Sequence, residues 1–295
     1  MLRFPVALPV IAVCLPALAQ RYSLGPDSQR QSGVPQGAVT KHTLPPGKFY
    51  AGTPHNYSPY VPKQYDPASP APLLIFLDGS GFLRNSDPAP TVLDNLIAKH
   101  DLPPMLAIFI DPGILPTISQ NAQNRYERIF EYDSLSDRFA TFLIEELIPE
   151  VGKRYNISKD PNARALAGVS TGAVGAFVAA WNRPDQFRRV LSFIGTYVAM
   201  KGADSLPALI RKTEPKPLRI FLQDGRNDHL APNQPFGSFY AGSWPINNEV
   251  MLQALQYAGY DVKFELGEGA HDMVQGAAIL PDALRWLWRE YPAAI

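Results

Sequence analysis

Arg164-Ala165-Leu166-Ala167-Gly168-Val169-Ser170-Thr171-Gly172-Ala173-Val174-Gly175-Ala176 is the stretch on which the reading of the whole chain turns. Arg164 to Val169 predicts a short apolar strand, and Thr171 to Trp181 a helix built on small residues. Between them, Gly168-Val169-Ser170-Thr171-Gly172 has the form G-x-S-x-G. Such a pentapeptide arises by chance, but a strand before it and a helix after it are what a nucleophile-bearing turn requires. A serine on that turn is conformationally strained, so its flanking residues must lack bulk. The turn lifts the hydroxyl to the C-terminal edge of a sheet. The helix N-terminus then aims free N–H groups and the positive end of its dipole at developing negative charge.

Outward from this turn, strand and helix alternate. Leu73–Leu77 and Met105–Ile110 are continuous apolar runs ending at Asp78-Gly79 and Asp111-Pro112-Gly113. Runs of this kind suit parallel strands buried on both faces. Further strands are predicted at Ala38–Leu44, Asn56–Val61, Val190–Ile194, Arg219–Gln223 and Val262–Leu266. Helices are predicted at Thr91–His100, Ser134–Tyr155 (kinked near Pro149), Asn247–Tyr257 and Ala277–Arg289. The alternation from residue 73 onward argues an α/β fold, a mostly parallel central sheet with helices on both faces. No internal repeat or linker divides it. Three regions result: a leader at 1–19, an N-terminal arm and first strand at 20–49, and a catalytic domain at 50–295.

The 295 residues carry 27 Lys+Arg and 27 Asp+Glu. With no excess of cations, the chain lacks the basic face that nucleic acid or an anionic membrane surface demands, and no nucleic-acid partner is expected. At 46 % hydrophobic and 18 % charged residues it is globular rather than disordered. Arg3, the apolar stretch Phe4–Leu18 and Ala17-Leu18-Ala19 read as a signal peptide cleaved after Ala19. That stretch is too short and too rich in proline for a membrane span. The single cysteine, Cys14, lies inside it, so a secreted or periplasmic protein without disulfides or a stable membrane anchor is expected.

A serine hydroxyl needs a base, and behind such an elbow the order is Ser, acid, His. Of the five histidines only His229 and His271 follow Ser170. His229 adjoins the candidate acid loop. His271, in Gly267-Glu268-Gly269-Ala270-His271 after a predicted strand, is the expected base. In Asp224-Gly225-Arg226-Asn227-Asp228, Asp228 is favoured as the acid because it lies out on the loop, while Asp224 sits at the strand end. The oxyanion donors are expected to be the N–H groups of Thr171 and of Ser80, with Gly81 as second choice, in the loop Asp78-Gly79-Ser80-Gly81-Phe82. Trp244, with Phe236, Phe239 and Tyr240, belongs to an aromatic stretch within 224–247 that is either a substrate wall or a packed loop. Trp244 is the favoured substrate contact. There is no H-E-x-x-H, no cysteine pair and no phosphate-binding glycine motif, so neither a metal nor any cofactor is expected.

Leu77-Asp78-Gly79, the Ser170 turn, the Asp224–Asp228 segment and Gly269-Ala270-His271 together resemble the esterase D / enterochelin-esterase-like family of α/β hydrolases. That family includes feruloyl and acetyl-xylan esterases and mycolyltransferases. The resemblance covers roughly residues 50 to 290. It implies the α/β-hydrolase fold and a serine esterase, which with the leader gives a secreted enzyme acting on sugar-linked, phenolic or siderophore-type esters. It also implies that Arg128-Ile129-Phe130-Glu131-Tyr132 borders the cleft, with Arg128 and Glu131 facing substrate. Ala173, where many members have a second glycine, and the 224–247 stretch depart from the pattern. An acyltransferase using the same three residues and a non-catalytic carbohydrate-binding relative are the alternatives.

Overall fold

The apolar runs become the middle of one sheet. The computed structural model describes residues 22–86, 88–230 and 242–295. The expected signal peptide, and Phe236, Phe239 and Tyr240, lie outside the described residues. In chain order the elements are β1 (Ala38–Val39), β2 (His42–Leu44), β3 (His55–Val61), β4 (Leu73–Leu77), α1 (Ala89–Ala98), β5 (Leu106–Ile110), β6 (Ile114–Leu115), β7 (Arg125–Tyr126), α2 (Arg128–Tyr132), α3 (Arg138–Phe142), α4 (Ile148–Gly152) and β8 (Arg164–Val169). They continue with α5 (Thr171–Asn182), β9 (Arg189–Phe193), α6 (Leu206–Arg211), β10 (Arg219–Gly225), α7 (Trp244–Tyr257), β11 (Asp261–Gly267) and α8 (Val274–Trp288).

The main sheet runs β1-β3-β5-β4-β8-β9-β10-β11, with β2 also paired to β3. Strands from β5 to β11 are parallel, whereas β3 is antiparallel to β5. Leu73, Ile75 and Leu77 of β4 enter one core with Phe177 and Met251, while Leu74 and Phe76 enter the other with Leu93 and Leu284. Burial on both faces is why β4 reads as an unbroken apolar run. This is the α/β-hydrolase arrangement. The chain runs from β4 outward to β5 and then crosses back to β8 on the other side, so a crevice opens beyond the C-terminal ends of β4 and β8.

Several elements differ from their sequence signals, each for a local reason. The expected strand at Ala38–Leu44 is split because both halves pair with β3, and the gap falls opposite Ser58 and Pro59. Pro59 has no N–H to give to a ladder. The long helix begins at Arg138 rather than Ser134, since Leu135 sits at φ 52°. A π-turn at Leu143–Leu147 carries α3 into α4, and Pro149 lies directly after it, where one wide turn absorbs the missing N–H. Helix α7 starts three residues early, at Trp244: Ser243 is extended at its N-cap and Pro245 occupies the first turn, which has no use for its N–H.

The turn between β8 and α5 tolerates no added bulk. A Cβ on Gly168 would lie 2.1 Å from the Gly172 carbonyl oxygen, whereas one on Gly152, at the end of α4, would meet nothing within 4 Å. Gly168→Ala should therefore lower the unfolding free energy by about 3 kcal/mol, the upper end of overpacking costs. Gly152→Ala should stay within about 1 kcal/mol of wild type, on the stabilising side. Urea unfolding of both variants checks this contrast.

Candidate active site

Ser170 caps α5 with φ 56° and ψ −121°, a conformation that a residue with a side chain holds only under constraint. The constraint is visible on both sides. The Ser170 N–H donates to the Phe193 carbonyl at 2.9 Å, and its carbonyl accepts from the N–H of Thr196 at 3.2 Å and of Ala173 at 3.1 Å. Gly172 lets the Asp78 carboxylate approach to where a Cβ would be 2.5 Å from Oδ2.

His271 follows β11 on a separate loop, and the structure brings it to Ser170. Ser170 Oγ lies 3.0 Å from His271 Nε2, and His271 Nδ1 lies 2.8 and 3.0 Å from the two carboxylate oxygens of Asp228. The acid loop and the histidine loop are bonded to each other directly. Arg226 N–H donates to Gly267 O at 2.8 Å, Asn227 N–H to Gly269 O at 3.0 Å, and the Asn227 amide to Glu268 O at 2.9 Å. His229 does not reach Ser170. Its ring stacks on His271 at 4.5 Å, and its N–H donates to Asp228. Burial, then the neighbouring His271, lower its pKa, although Asp228 opposes this, so the ring is neutral at pH 7.

The direction of the serine proton follows from a residue that carries no motif. Thr196, fully buried after β9, has its hydroxyl 2.9 Å from Ser170 Oγ and accepts from the Trp244 indole N–H at 3.2 Å. An indole nitrogen only donates, and a buried hydroxyl proton requires an acceptor. Thr196 therefore donates to Ser170 Oγ. The serine proton is left to point at His271 Nε2, and the Nδ1–H of the same ring donates to the Asp228 carboxylate.

Asp224 and Asp228 are enclosed together, and their environments drive them apart. Asp224 accepts from its neighbour Gly225 N–H at 2.7 Å and from the Asn248 amide at 2.8 Å. Burial, then the hydrogen bond and charge of Asp228, push its pKa well above the carboxylate range, so it is a neutral acid at pH 7. Burial would also raise Asp228, but the hydrogen bonds from His271 and Asp224 outweigh it and hold Asp228 below its usual value, ionised.

The remaining expected residues are placed as follows. Thr171 opens α5, and its N–H meets no acceptor among the described residues. Of the other expected oxyanion donors, Ser80 N–H donates to Asp111 Oδ1 at 2.9 Å and Gly81 N–H to Asp78 O at 2.9 Å, so both are engaged without substrate. Arg128 lines the cleft, but Nε and Nη2 bind Asp78 at 2.7 and 2.6 Å and Nη2 also holds the Val169 carbonyl at 3.1 Å. Glu131 is corrected as a substrate contact. Its side chain is 0 % exposed, bonded to His55 Nε2 at 2.8 Å and to Gly113 N–H at 3.0 Å. Trp244 is likewise enclosed, at 2 % exposure, and packs edge-on against His271 at 5.5 Å instead of walling a cleft. Thr196, Asn248 and Asn227 join the site with no sequence signal of their own.

A cleft of about 420 Å³ adjoins the Ser170 turn, where Ile114, Tyr126 and Met273 face Arg84, Asp111 and Arg128. Asp228, His229 and His271 place metal-type ligand atoms within 4.8 Å of one another. The two imidazoles stack, however, and ring-nitrogen lone pairs lie in the ring planes, so they run side by side rather than converging on an ion. The arrangement as a whole is a hydroxyl aimed at an oriented imidazole beside a helix N-terminus, a geometry suited to acyl transfer.

Residues 50–286 match the family model described as putative esterase. The iron(III) enterobactin esterase of Dickeya dadantii is 25 % identical over 237 residues, which span 75 % of this chain and 49 % of that protein. The chain thus spans about half the length of the enterobactin esterases that it matches in sequence. Among solved structures, the enterobactin esterase of Shigella flexneri superposes with a TM-score of 0.65 at 20 % identity, over 87 % of this chain and 61 % of that one. A ferulic acid esterase from Anaeromyces mucronatus superposes with a TM-score of 0.69 at 17 % identity, over 91 % and 97 %. At that identity the structural likeness speaks for the fold.

The two aspartates should respond differently to amidation. Asp228→Asn should lower kcat by about 10⁴, because an amide beside Nδ1 favours the wrong imidazole tautomer. Asp224→Asn replaces a neutral acid by a neutral amide and should keep kcat within about tenfold. Asp224 also gives a stability signature. Its folded pKa lies above the unfolded value, so its contribution is present below about pH 4 and is lost as pH rises toward the folded value. Wild-type stability should therefore fall relative to Asp224→Asn over that range, as read by urea unfolding at successive pH values.

Proposed function

The chain belongs to the putative esterase family, and on that premise we propose that it is an exported serine hydrolase of carboxylic esters. Ser170 is the nucleophile, His271 the general base and acid, and Asp228 the carboxylate that orients the imidazole. The observation that carries this reading is the pair of contacts on one ring, Nε2 at 3.0 Å from Ser170 Oγ and Nδ1 at 2.8 Å from Asp228.

Ser170 Oγ attacks the ester carbonyl as His271 Nε2 takes its proton. The imidazolium is stabilised by Asp228, which is already ionised. His271 then returns the proton to the leaving alkoxide, and water, activated by the same ring, releases the acid and restores Ser170. The Thr171 N–H and the α5 terminus stabilise the oxyanion. The Ser80 N–H reaches it only by giving up Asp111. The ion pair of Arg128 with Asp78 ties the loop after β4 to the Val169 carbonyl beside the nucleophile. The cleft, with Tyr126, Ile114 and Met273 against polar neighbours, suits esters of hydroxylated rings or sugars, as in phenolic, sugar-linked or siderophore-type compounds. Export rests on the apolar leader cleaved after Ala19. No helix among the described residues is long and apolar enough to cross a membrane.

Ser170→Ala should lower kcat for p-nitrophenyl esters by about 10⁴–10⁶ while leaving thermal unfolding near wild type. A series of acyl lengths, then feruloylated and acetylated sugars, reads the preference of the cleft. Retention of hydrolysis in Ser170→Ala would remove the serine mechanism.

A further inference from the structure

The loop that carries His271 is held by hydrogen bonds at Gly267, Glu268 and Gly269, one of which comes from the far end of the chain. The Gly267 carbonyl accepts from Arg226 N–H, the Glu268 carbonyl from the Asn227 amide, and the Gly269 carbonyl from Asn227 N–H. Gly269 N–H donates to Gln275 Oε1 at 3.0 Å, within the helix that follows. Glu268 N–H donates to the Tyr22 hydroxyl at 2.8 Å, across 246 positions of sequence. That hydroxyl presses on the loop so closely that a Cβ on Gly267 would be 2.0 Å from it.

The arm bearing Tyr22 is itself fastened. The Asp27 carboxylate binds Lys99 at the end of α1 and Arg285 on α8, the latter at 2.6 Å. The Asn95 amide donates to the Asp27 and Gln29 carbonyls, each at 2.8 Å. Gly37 N–H donates to Asp94 at 2.8 Å. The hydrogen bonds from Lys99, then from Arg285, hold the Asp27 carboxyl below its ordinary pKa, so the tie persists into mildly acidic conditions. The arm therefore grips the histidine segment twice, at Glu268 before it and at Arg285 on the helix after it. Residue 22 lies ahead of the family match, which begins at residue 50.

We propose that Tyr22 is a positioning residue for His271: its hydroxyl fixes the Gly267–Gly269 loop so that the imidazole meets Ser170 and Asp228 together. The inference rests on the reading of His271 as the base. Tyr22 lines no part of the cleft beside Ser170, so its loss should leave substrate binding alone and weaken the proton-transfer geometry.

The test is steady-state kinetics of the full chain with Tyr22→Phe, which removes only the hydroxyl, and Asp27→Asn, which loosens the arm at its other anchor. Tyr22→Phe should lower kcat about fivefold, the scale of one neutral hydrogen bond. KM should stay within about twofold and the thermal midpoint near wild type. Asp27→Asn should lower kcat in the same direction. A Tyr22→Phe enzyme with wild-type kcat, or one whose KM rises while kcat holds, overturns the inference. His271→Ala is measured alongside. If it keeps full activity, the assignment of the base fails, whereas an inactive His271→Ala beside a normal Tyr22→Phe sinks the positioning claim alone.

Discussion

The site depends on one strained residue. Ser170 at φ 56° and ψ −121° is held where β8 and α5 approach so closely that Gly168 has no room for a side chain, and where Asp78, after β4, fills the space beside Gly172. The two apolar cores supply the energy that enforces this approach, clamping β8 between β4 and β9 and burying α5 along nearly its whole length. Strain of about 1–3 kcal/mol at one residue is small against burial on that scale. In return the hydroxyl stands clear of the backbone, above the crevice where β4 and β8 diverge.

Around that serine the polar groups close into a ring. Ser170 meets Thr196, Thr196 meets the Trp244 indole, and the Trp244 carbonyl accepts from Asn248. Asn248 in turn donates to Asp224, which shares a hydrogen bond with Asp228, and Asp228 returns through His271 to Ser170. Through these bonds the Ser170 hydroxyl and the His271 ring are oriented before substrate arrives. Preorganisation of this kind is where enzymes gain most, since nothing has to turn when charge develops. The neutral Asp224 fits the scheme. Placed behind an ionised Asp228, it lends a hydrogen bond without adding a second charge.

Much of this was legible from residue order. The unbroken apolar strands β4 and β5 declared a sheet buried on both faces, and the G-x-S-x-G turn, in context, marked the edge of the sheet at which Ser170 stands. His271 and Asp228 followed from their order along the chain and from the loops they occupy. Elsewhere local signals misled. The helix expected from Asn247 begins at Trp244, with Pro245 in its first turn. Leu135 reads as helical but adopts a positive φ. The short β6–β7 pair has too few residues for any pattern. Arg128 and Glu131 lie three positions apart on α2, a spacing that places both on one side of a helix, yet Asp78 holds Arg128 at the cleft while His55 and the Gly113 N–H take Glu131 inward. Thr196, Asn248, Gln275 and Tyr22 carry no motif. Their importance comes from hydrogen bonds that only the folded chain brings together.

The central claim is that Ser170, activated by His271, is the nucleophile. The most direct measurement is to treat the wild-type protein with a fluorophosphonate ester and map the modified peptide by mass spectrometry. The account requires a single adduct on the peptide containing Gly168-Val169-Ser170-Thr171-Gly172, carried by Ser170. An adduct on another residue, or an active enzyme that takes up no label, would contradict it.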